Sequence, residues 1–142
     1  MSRRIKGLVE FEDDRGAVVR YLRHPHGGGL VSPGAHVHEG AWLAETTYVE
    51  AGAVVHDGAR VGPGSWVDVD VVVGAGAVVG SNVHVGAGTR VGAGAHVGAG
   101  ARIGARVSIQ ERASVHADQV VPDGATVAAS GRGRRSGYGR AA

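Results

Sequence analysis

The sequence predicts an all-β fold in which short parallel strands stack as successive coils of a β-helix. An aliphatic residue recurs every six positions from Val31 to Val127 without exception, and a period of six is not that of a helix. Gly, Asp or Asn stands three positions after the aliphatic residue in thirteen of the sixteen repeats. These residue types tolerate the positive φ of a tight corner. A fixed repeat sets the architecture before any local propensity is considered.

Each hexad therefore reads as a short strand followed by a corner. Four positions after the aliphatic residue, twelve of the sixteen repeats have a small residue: nine Ala, with Thr47, Ser65 and Thr89. Side chains two apart on a strand share a face, so the small residue points inward together with the next aliphatic residue. A single strand of this kind cannot bury its inner face, whereas stacked coils share one continuous core.

The most regular hexads begin at Val73, Val85, Val91 and Val97, as in Val73-Gly-Ala-Gly-Ala-Val and Val91-Gly-Ala-Gly-Ala-His. They resemble the hexapeptide-repeat superfamily, which includes many acyltransferases and the γ-class carbonic anhydrases. The resemblance covers residues 31–127. It implies a left-handed parallel β-helix with three hexads per coil, and the sixteen repeats then make about five coils.

The chain divides into three segments by its pattern. Residues 1–30 form an N-terminal cap, because Leu8 to Glu12 and Ala17 to Leu22 flank a turn sequence and predict a β-hairpin. We expect this hairpin to cover the open strand edges of the first coil. Residues 31–127 are the β-helix. Residues 128–142, a Gly- and Arg-rich tail, are expected to be disordered.

Composition excludes several classes of protein. The chain has no cysteine, which rules out disulfides and thiolate chemistry. No apolar run approaches the roughly 20 residues of a membrane span, so we expect a cytoplasmic protein without a membrane partner. The repeat region has nine carboxylates against five arginines, and this balance disfavours a nucleic-acid partner. The four arginines of the tail are interpreted as solubilising, and the alternative is a tether to nucleic acid or another acidic surface.

One candidate metal site follows from an eighteen-residue coil. His36 and His38 stand two apart on one strand and point the same way, and His56 lies one coil beyond His38, at roughly 4.8 Å. Neutral imidazoles in this arrangement suit Zn²⁺ or another divalent transition metal, with Glu39 or Asp57 in support. The alternative is three histidines on a solvated face.

A second outward row contains Tyr48, Trp66, His84 and Arg102. Exposed aromatic rows mark contact surfaces, and the resemblance implies that three rods associate side by side with active sites between them. Tyr48 and Trp66 are therefore the candidate interface residues of a homotrimer. The alternative is cross-strand stacking within one chain, with Arg102 over the rings.

The resemblance also implies a transferase-like protein, and specifically an acyltransferase that takes acyl-CoA and a small-molecule acceptor and uses a histidine as general base. His84 is the candidate base, with Arg102 placed to meet a phosphate or carboxylate. The alternative is a non-catalytic trimeric scaffold or binding module. The plain central coils, Val73 to Arg102, suit that alternative.

A γ-class carbonic anhydrase is a further alternative. The segment from Ile109 to His116, Ile-Gln-Glu-Arg-Ala-Ser-Val-His, is similar to the strand of that family that carries a glutamine and the first metal-ligating histidine. Glu111 replaces the aspartate of the family pattern, and the other histidine ligands have no counterpart. A zinc site needs at least three protein ligands, so the sequence disfavours this activity.

Overall fold

The computed structural model describes residues 8–12 and 14–129, and within them it is an all-β solenoid of about five coils without helices. The predicted tail, residues 128–142, lies outside the described residues except for residues 128 and 129. The strands are β1 (Leu8–Glu12), β2 (Val18–Arg23), β3 (Leu30–Val31), β4 (His36–Val37), β5 (Trp42–Leu43), β6 (Tyr48–Val49), β7 (Val54–Val55), β8 (Arg60–Val61), β9 (Trp66–Val67), β10 (Val72–Val73), β11 (Val78–Val79), β12 (His84–Val85), β13 (Arg90–Val91), β14 (His96–Val97), β15 (Arg102–Ile103), β16 (Ser108–Ile109), β17 (Ser114–Val115), β18 (Val120–Val121) and β19 (Thr126–Val127).

Three sheets form the sides of the solenoid, and every third strand of the repeat joins the same sheet. The described strands give an eight-stranded sheet (β1-β2-β3-β6-β9-β12-β15-β18), a six-stranded sheet (β19-β16-β13-β10-β7-β4) and a five-stranded sheet (β17-β14-β11-β8-β5). Paired residues along the coils are eighteen apart, as His84 is from Trp66 and from Arg102. Three hexads therefore make one coil, as the resemblance implied.

The core runs along the axis and is built from the aliphatic positions. From Leu43 to Val127 each of these side chains is at most 3% exposed, whereas Val37 in the first coil is only partly buried. The small residues four positions on, such as Ala59 and Ala95, are also buried. Both sets face inward, so the predicted hexad geometry is confirmed.

The corners confirm the predicted positive φ in most coils, with two kinds of exception. Gly34 and Gly40, in the first coil, are not in the left-handed region, whereas Arg106 and Arg112 are, at φ 57° and 61°. In later coils the N–H of the corner residue donates to a carbonyl of the preceding coil, as Gly52 does to Gly34, except that Gly64 donates to the Thr46 hydroxyl. The first coil has no preceding coil at these corners, and Gly34 and Gly40 donate instead to side chains two residues back. A side-chain turn therefore replaces the left-handed corner there.

The N-terminal hairpin is confirmed and extends one sheet. Strands β1 and β2 pair antiparallel, and β2 pairs antiparallel with β3 so that Leu22 lies opposite Val31. The hairpin thus covers the edge of the eight-stranded sheet alone. Gly27 in the joint after β2 has φ 94° and lies against the Leu43 carbonyl, so both conformation and space require glycine.

Among the described residues, no helix is long and apolar enough to cross a membrane.

Candidate functional site

The outer side of the eight-stranded sheet carries the predicted row, one residue per coil. Tyr48 pairs with Trp66, Trp66 with His84, and His84 with Arg102 in the parallel register. The structure therefore brings the two candidate catalytic residues and the two candidate interface residues onto one surface.

His84 is held by a carboxylate. Its Nε2 lies 3.1 Å from Asp68 Oδ2, and Asp68 Oδ1 accepts the Val69 N–H at 2.7 Å. The His84 and Asp68 side chains are 38% and 21% exposed, so the pair is accessible but partly shielded. A neutral imidazole with this partner donates from Nε2, an assignment that follows from the hydrogen-bond network. The lone pair is then on Nδ1, the nitrogen that can accept a proton.

Trp66 covers one face of the same imidazole. The two ring centroids are 4.4 Å apart and the planes are inclined by 18°. The indole Nε1 donates to Glu50 Oε2 at 2.8 Å, and the Tyr21 hydroxyl donates to Glu50 Oε1 at 3.0 Å. Burial and the neighbouring Glu50 carboxylate raise the pKa of Tyr21 to about 12. A continuous set of contacts therefore joins the hairpin to His84.

Arg102 lies beside His84 at the edge of an open groove of about 450 Å³, which Asp68 also borders. Gly86 and Gly104 lie along the groove, and neither has a side chain that would fill it. A Cβ on Gly86 would collide with the Gly104 carbonyl, so close stacking of coils accounts for the glycines. The result is a groove where a cation and an imidazole–carboxylate pair stand side by side, an arrangement suited to proton transfer on an anionic substrate.

The three histidines of the candidate metal site border one groove beside the six-stranded sheet. His38 Nδ1 accepts the Gly40 N–H at 2.9 Å and lies 3.3 Å from Asp57 Oδ1. Within residues 8–12 and 14–129, no three His, Cys, Asp or Glu side chains are grouped so as to hold a metal ion. Metal binding by His36, His38 and His56 stays a prediction, which calorimetry with Zn²⁺ on the parent and on His56→Ala would test.

The segment that resembles a carbonic anhydrase strand spans two faces. Gln110 follows Ile109 of the six-stranded sheet, and His116 follows Val115 of the five-stranded sheet. Both Gln110 and His116 are exposed. Gln119 accepts the backbone N–H of His116 at 2.9 Å.

Sequence reasoning missed the partners of the outward row. It assigned no role to Glu50 or Asp68. In the structure Asp68 binds His84 and Glu50 binds Trp66, and in both pairs the acid precedes its partner by sixteen residues. This spacing places a residue just after one strand against a residue on the neighbouring strand of the next coil. It is a signal that an eighteen-residue coil makes visible in the sequence.

The repeat and its three-sheet solenoid are those of a hexapeptide-repeat β-helix, as the sequence pattern predicted. No protein-family model and no curated protein matches the chain. Among solved structures, the acetyltransferase domain of PglB from Neisseria gonorrhoeae FA1090, in complex with acetyl coenzyme A, is 28% identical; the match covers 75% of this chain and 55% of that one, with a TM-score of 0.39. A mutant of perosamine N-acetyltransferase from Caulobacter crescentus, in complex with CoA and GDP-perosamine, is 26% identical over 68% of this chain and 51% of that one, with a TM-score of 0.40.

Serine acetyltransferase isoform 3 from Entamoeba histolytica, in complex with cysteine, is 22% identical; the match covers 63% of this chain and 35% of that one, with a TM-score of 0.49. The chain thus spans about half the length of the first two structures and about a third of this one. Because these TM-scores lie below 0.5, the function of the chain has to be derived from its own residues.

Proposed function

We propose that the chain is an acyltransferase in which His84 is the general base and Asp68 orients it. The observation that carries the proposal is the 3.1 Å contact between His84 Nε2 and Asp68 Oδ2, in a pair that is partly shielded but open to a groove. A carboxylate that holds one imidazole nitrogen fixes the tautomer and stabilises the imidazolium that forms when the other nitrogen takes a proton.

The chemistry is transfer of an acyl group from a thioester to an amine or hydroxyl. His84 Nδ1 takes the proton of the acceptor as its nitrogen or oxygen attacks the thioester carbonyl carbon. The tetrahedral intermediate then breaks the C–S bond, and the leaving thiolate takes the proton back from the imidazolium. The acyl-coenzyme A donor is the class that the hexapeptide-repeat resemblance implies.

Arg102 supplies the positive charge of the proposed site. It lies on the strand next to His84 and borders the same groove. We assign Arg102 to a phosphate or carboxylate of a substrate, because a guanidinium offers several donors to such groups.

His84 is a better candidate than the other histidine that has an acidic neighbour. His38 and Asp57 are 57% and 68% exposed, and His38 Nδ1, the nitrogen near Asp57, already accepts the Gly40 N–H. A neutral His38 therefore does not donate to Asp57 from that nitrogen. The His84 pair is more shielded and its carboxylate is itself fixed by a backbone N–H.

Release of free thiol from acetyl-CoA in the presence of small amines and alcohols tests the catalytic role. We expect His84→Asn to lower the rate by roughly 10²-fold to 10⁴-fold, the usual contribution of a general base. His96→Asn is the matched control, because His96 faces outward from the five-stranded sheet and is exposed. Equal rates for His84→Asn and the parent would refute the proposal.

Binding of the donor separates an enzyme from a scaffold. A ligand that binds only the folded chain at a hundred times its Kd stabilises it by about 2.7 kcal/mol, so acetyl-CoA should raise the melting temperature of the parent. Arg102→Ala should reduce the shift, and Arg60→Ala, on the five-stranded sheet, should not. A parent that shows no shift at any concentration supports the alternative, a non-catalytic scaffold or binding module.

We further infer that three chains associate through the outer side of the eight-stranded sheet. Three of the most exposed large apolar side chains face outward there, namely Phe11 at 41%, Trp66 at 43% and Val120 at 60%. Apolar side chains concentrated on one side of a protein are typical of a contact surface. Association would also close the open side of the groove beside His84.

A further inference from the structure

The imidazole of His84 is restrained at its edge and on its face. Asp68 binds the edge through Nε2, and the indole of Trp66 lies nearly parallel to the ring. A single hydrogen bond at the edge leaves the ring free to rotate about the line of that bond. A flat neighbour on the face removes this freedom, so the indole fixes the plane in which Nδ1 points.

The indole is itself restrained by residues outside this pair. Glu50 accepts the Trp66 N–H at 2.8 Å and the Tyr21 hydroxyl at 3.0 Å. Tyr21 is 8% exposed and packs edge-on against Tyr48 and Phe11, with centroid separations of 5.3 and 5.9 Å. The buried Tyr21 hydroxyl on the hairpin therefore binds the Glu50 carboxylate, and the same carboxylate binds the Trp66 indole.

The second tryptophan shows what the same side chain does without this support. Trp42 lies on the five-stranded sheet, 39% exposed, with the Arg60 guanidinium 5.4 Å from its ring. Its indole N–H has no carboxylate partner among the described residues. The solenoid backbone by itself therefore does not give an exposed tryptophan a carboxylate partner, and the partner of Trp66 comes from the position of Glu50.

We propose that Tyr21 and Glu50 are positioning residues for His84, acting through the indole of Trp66, so that the N-terminal hairpin sets the orientation of the candidate base. The effect of this orientation on catalysis depends on the proposed acyltransferase function, whereas the orientation of the His84 ring does not depend on it. The indole face also favours a positive charge on the ring that it covers, so it stabilises the imidazolium formed during proton transfer. The other charged or titratable groups on the outer side of this sheet are Asp68, Arg102, Tyr48 and Arg23, together with Asp123, which borders the same groove.

Fluorescence of Trp66 measures the stacking directly. The chain has two tryptophans, so Trp42→Phe leaves Trp66 as the sole indole emitter, and a protonated imidazole in contact with an indole quenches its emission. We expect emission to fall as the pH is lowered from about 8 to about 5, the range in which histidines titrate. Adding His84→Asn should abolish that fall.

Two variants in this background test the positioning role. Tyr21→Phe removes the phenolic donor, and Glu50→Gln removes the negative charge and puts an NH₂ group, which cannot accept, in place of one carboxylate oxygen. We expect both to lose most of the quench amplitude. Tyr48→Phe is the matched control, since it removes a phenolic oxygen from the same aromatic cluster without touching Glu50, and it should retain the amplitude.

Turnover and melting temperature are measured on the same variants. In variants that remain folded, we expect kcat to fall by up to about 10²-fold, the loss that a misplaced catalytic group can cause, while KM changes little. An unchanged quench amplitude in both Tyr21→Phe and Glu50→Gln overturns the positioning role, even if His84→Asn is inactive. A lost amplitude together with full turnover in His84→Asn refutes the acyltransferase function and leaves the structural coupling between hairpin and imidazole in place.

Discussion

At the scale of single residues, the polar groups inside the solenoid are few and each is paired. Ser65 Oγ donates to the Gly80 carbonyl at 2.6 Å and accepts the Val83 N–H at 3.0 Å. Thr89 repeats the arrangement with Gly104 and Val107 at 2.7 and 3.1 Å. In most hexads the corresponding N–H donates within its own turn, as Ala95 does to Gly92. At Val83 and Val107 a hydroxyl of the preceding coil therefore replaces the turn hydrogen bond.

Loss of one such hydroxyl should destabilise the chain. Ser65→Ala leaves the Val83 N–H and the Gly80 carbonyl buried without their partner, which costs about 1–3 kcal/mol. We expect a corresponding fall in the free energy of unfolding, measured by urea denaturation. Ser114→Ala, at an exposed position on the five-stranded sheet, should change it by less than about 0.5 kcal/mol. Equal values for Ser65→Ala and the parent would contradict this pairing.

Tyr21 predicts a stability change at alkaline pH. Its pKa is raised from 10.0 to about 12 by burial and by Glu50, so the folded chain keeps the proton that the unfolded chain loses first. By linkage the contribution is fully present below pH 10 and is lost as the pH rises to about 12. Urea midpoints should fall more steeply over this range in the parent than in Tyr21→Phe. Parallel slopes for the two proteins would show that Tyr21 does not titrate in this way.

At the scale of the elements, each two-residue strand of the solenoid has one inward and one outward position, and the two positions tolerate different changes. Val91→Asp would place a carboxylate among stacked aliphatic side chains and cost several kcal/mol. Arg90→Asp on the same strand faces outward and should have little effect. Circular dichroism during heating compares the two variants. Similar melting temperatures would mean that the aliphatic positions do not face the core.

The strands of the solenoid were predictable from sequence because one period governs them, whereas the site was predictable only in part: His84 and Arg102 were expected on one side, but their partners were not. The hexad spacing predicted the strands and the buried aliphatic row, and the turn-rich segment after Glu12 predicted the hairpin. The contact between Asp68 and His84 was missed because the coil length places Asp68 just past the neighbouring strand but does not specify that its side chain turns toward His84. The left-handed corners at Arg106 and Arg112 were also missed, because no local preference of arginine favours that backbone.

At the scale of the whole molecule, three sides share one backbone design and differ in what they present. The eight-stranded side alone carries the hairpin, the Trp66–His84 stack and the two carboxylates that hold it. The five-stranded side presents Trp42 and Arg60, and the six-stranded side presents the histidines 36, 38 and 56. Because the three sides share one backbone design, the chemistry of each side is determined by its individual outward side chains.

Association through the eight-stranded side has a direct test. Trp66→Glu would put a charge into the proposed contact and should convert trimers into monomers, because an unpaired charge is costly to bury. Trp42→Glu changes a similarly exposed tryptophan on another side and should leave the assembly intact. Light scattering coupled to size exclusion gives the masses. A monomeric parent would refute the inferred association.

In a solenoid with eighteen residues per coil, the core and the outer surface tolerate insertions and deletions of different lengths. Removing residues 74–79 would take out one hexad, and each remaining strand could still present an aliphatic residue to the core. Every outer side chain beyond the cut would nevertheless move to the next side of the solenoid, so His84 would lie beside Arg60 and Arg90 would lie beside Trp66. Removal of a whole coil keeps each later residue on its own side. The core therefore tolerates insertions and deletions in multiples of six residues, whereas outer side chains keep their neighbours only when the multiple is eighteen. In such chains we expect length differences to comprise whole coils wherever a surface site is retained.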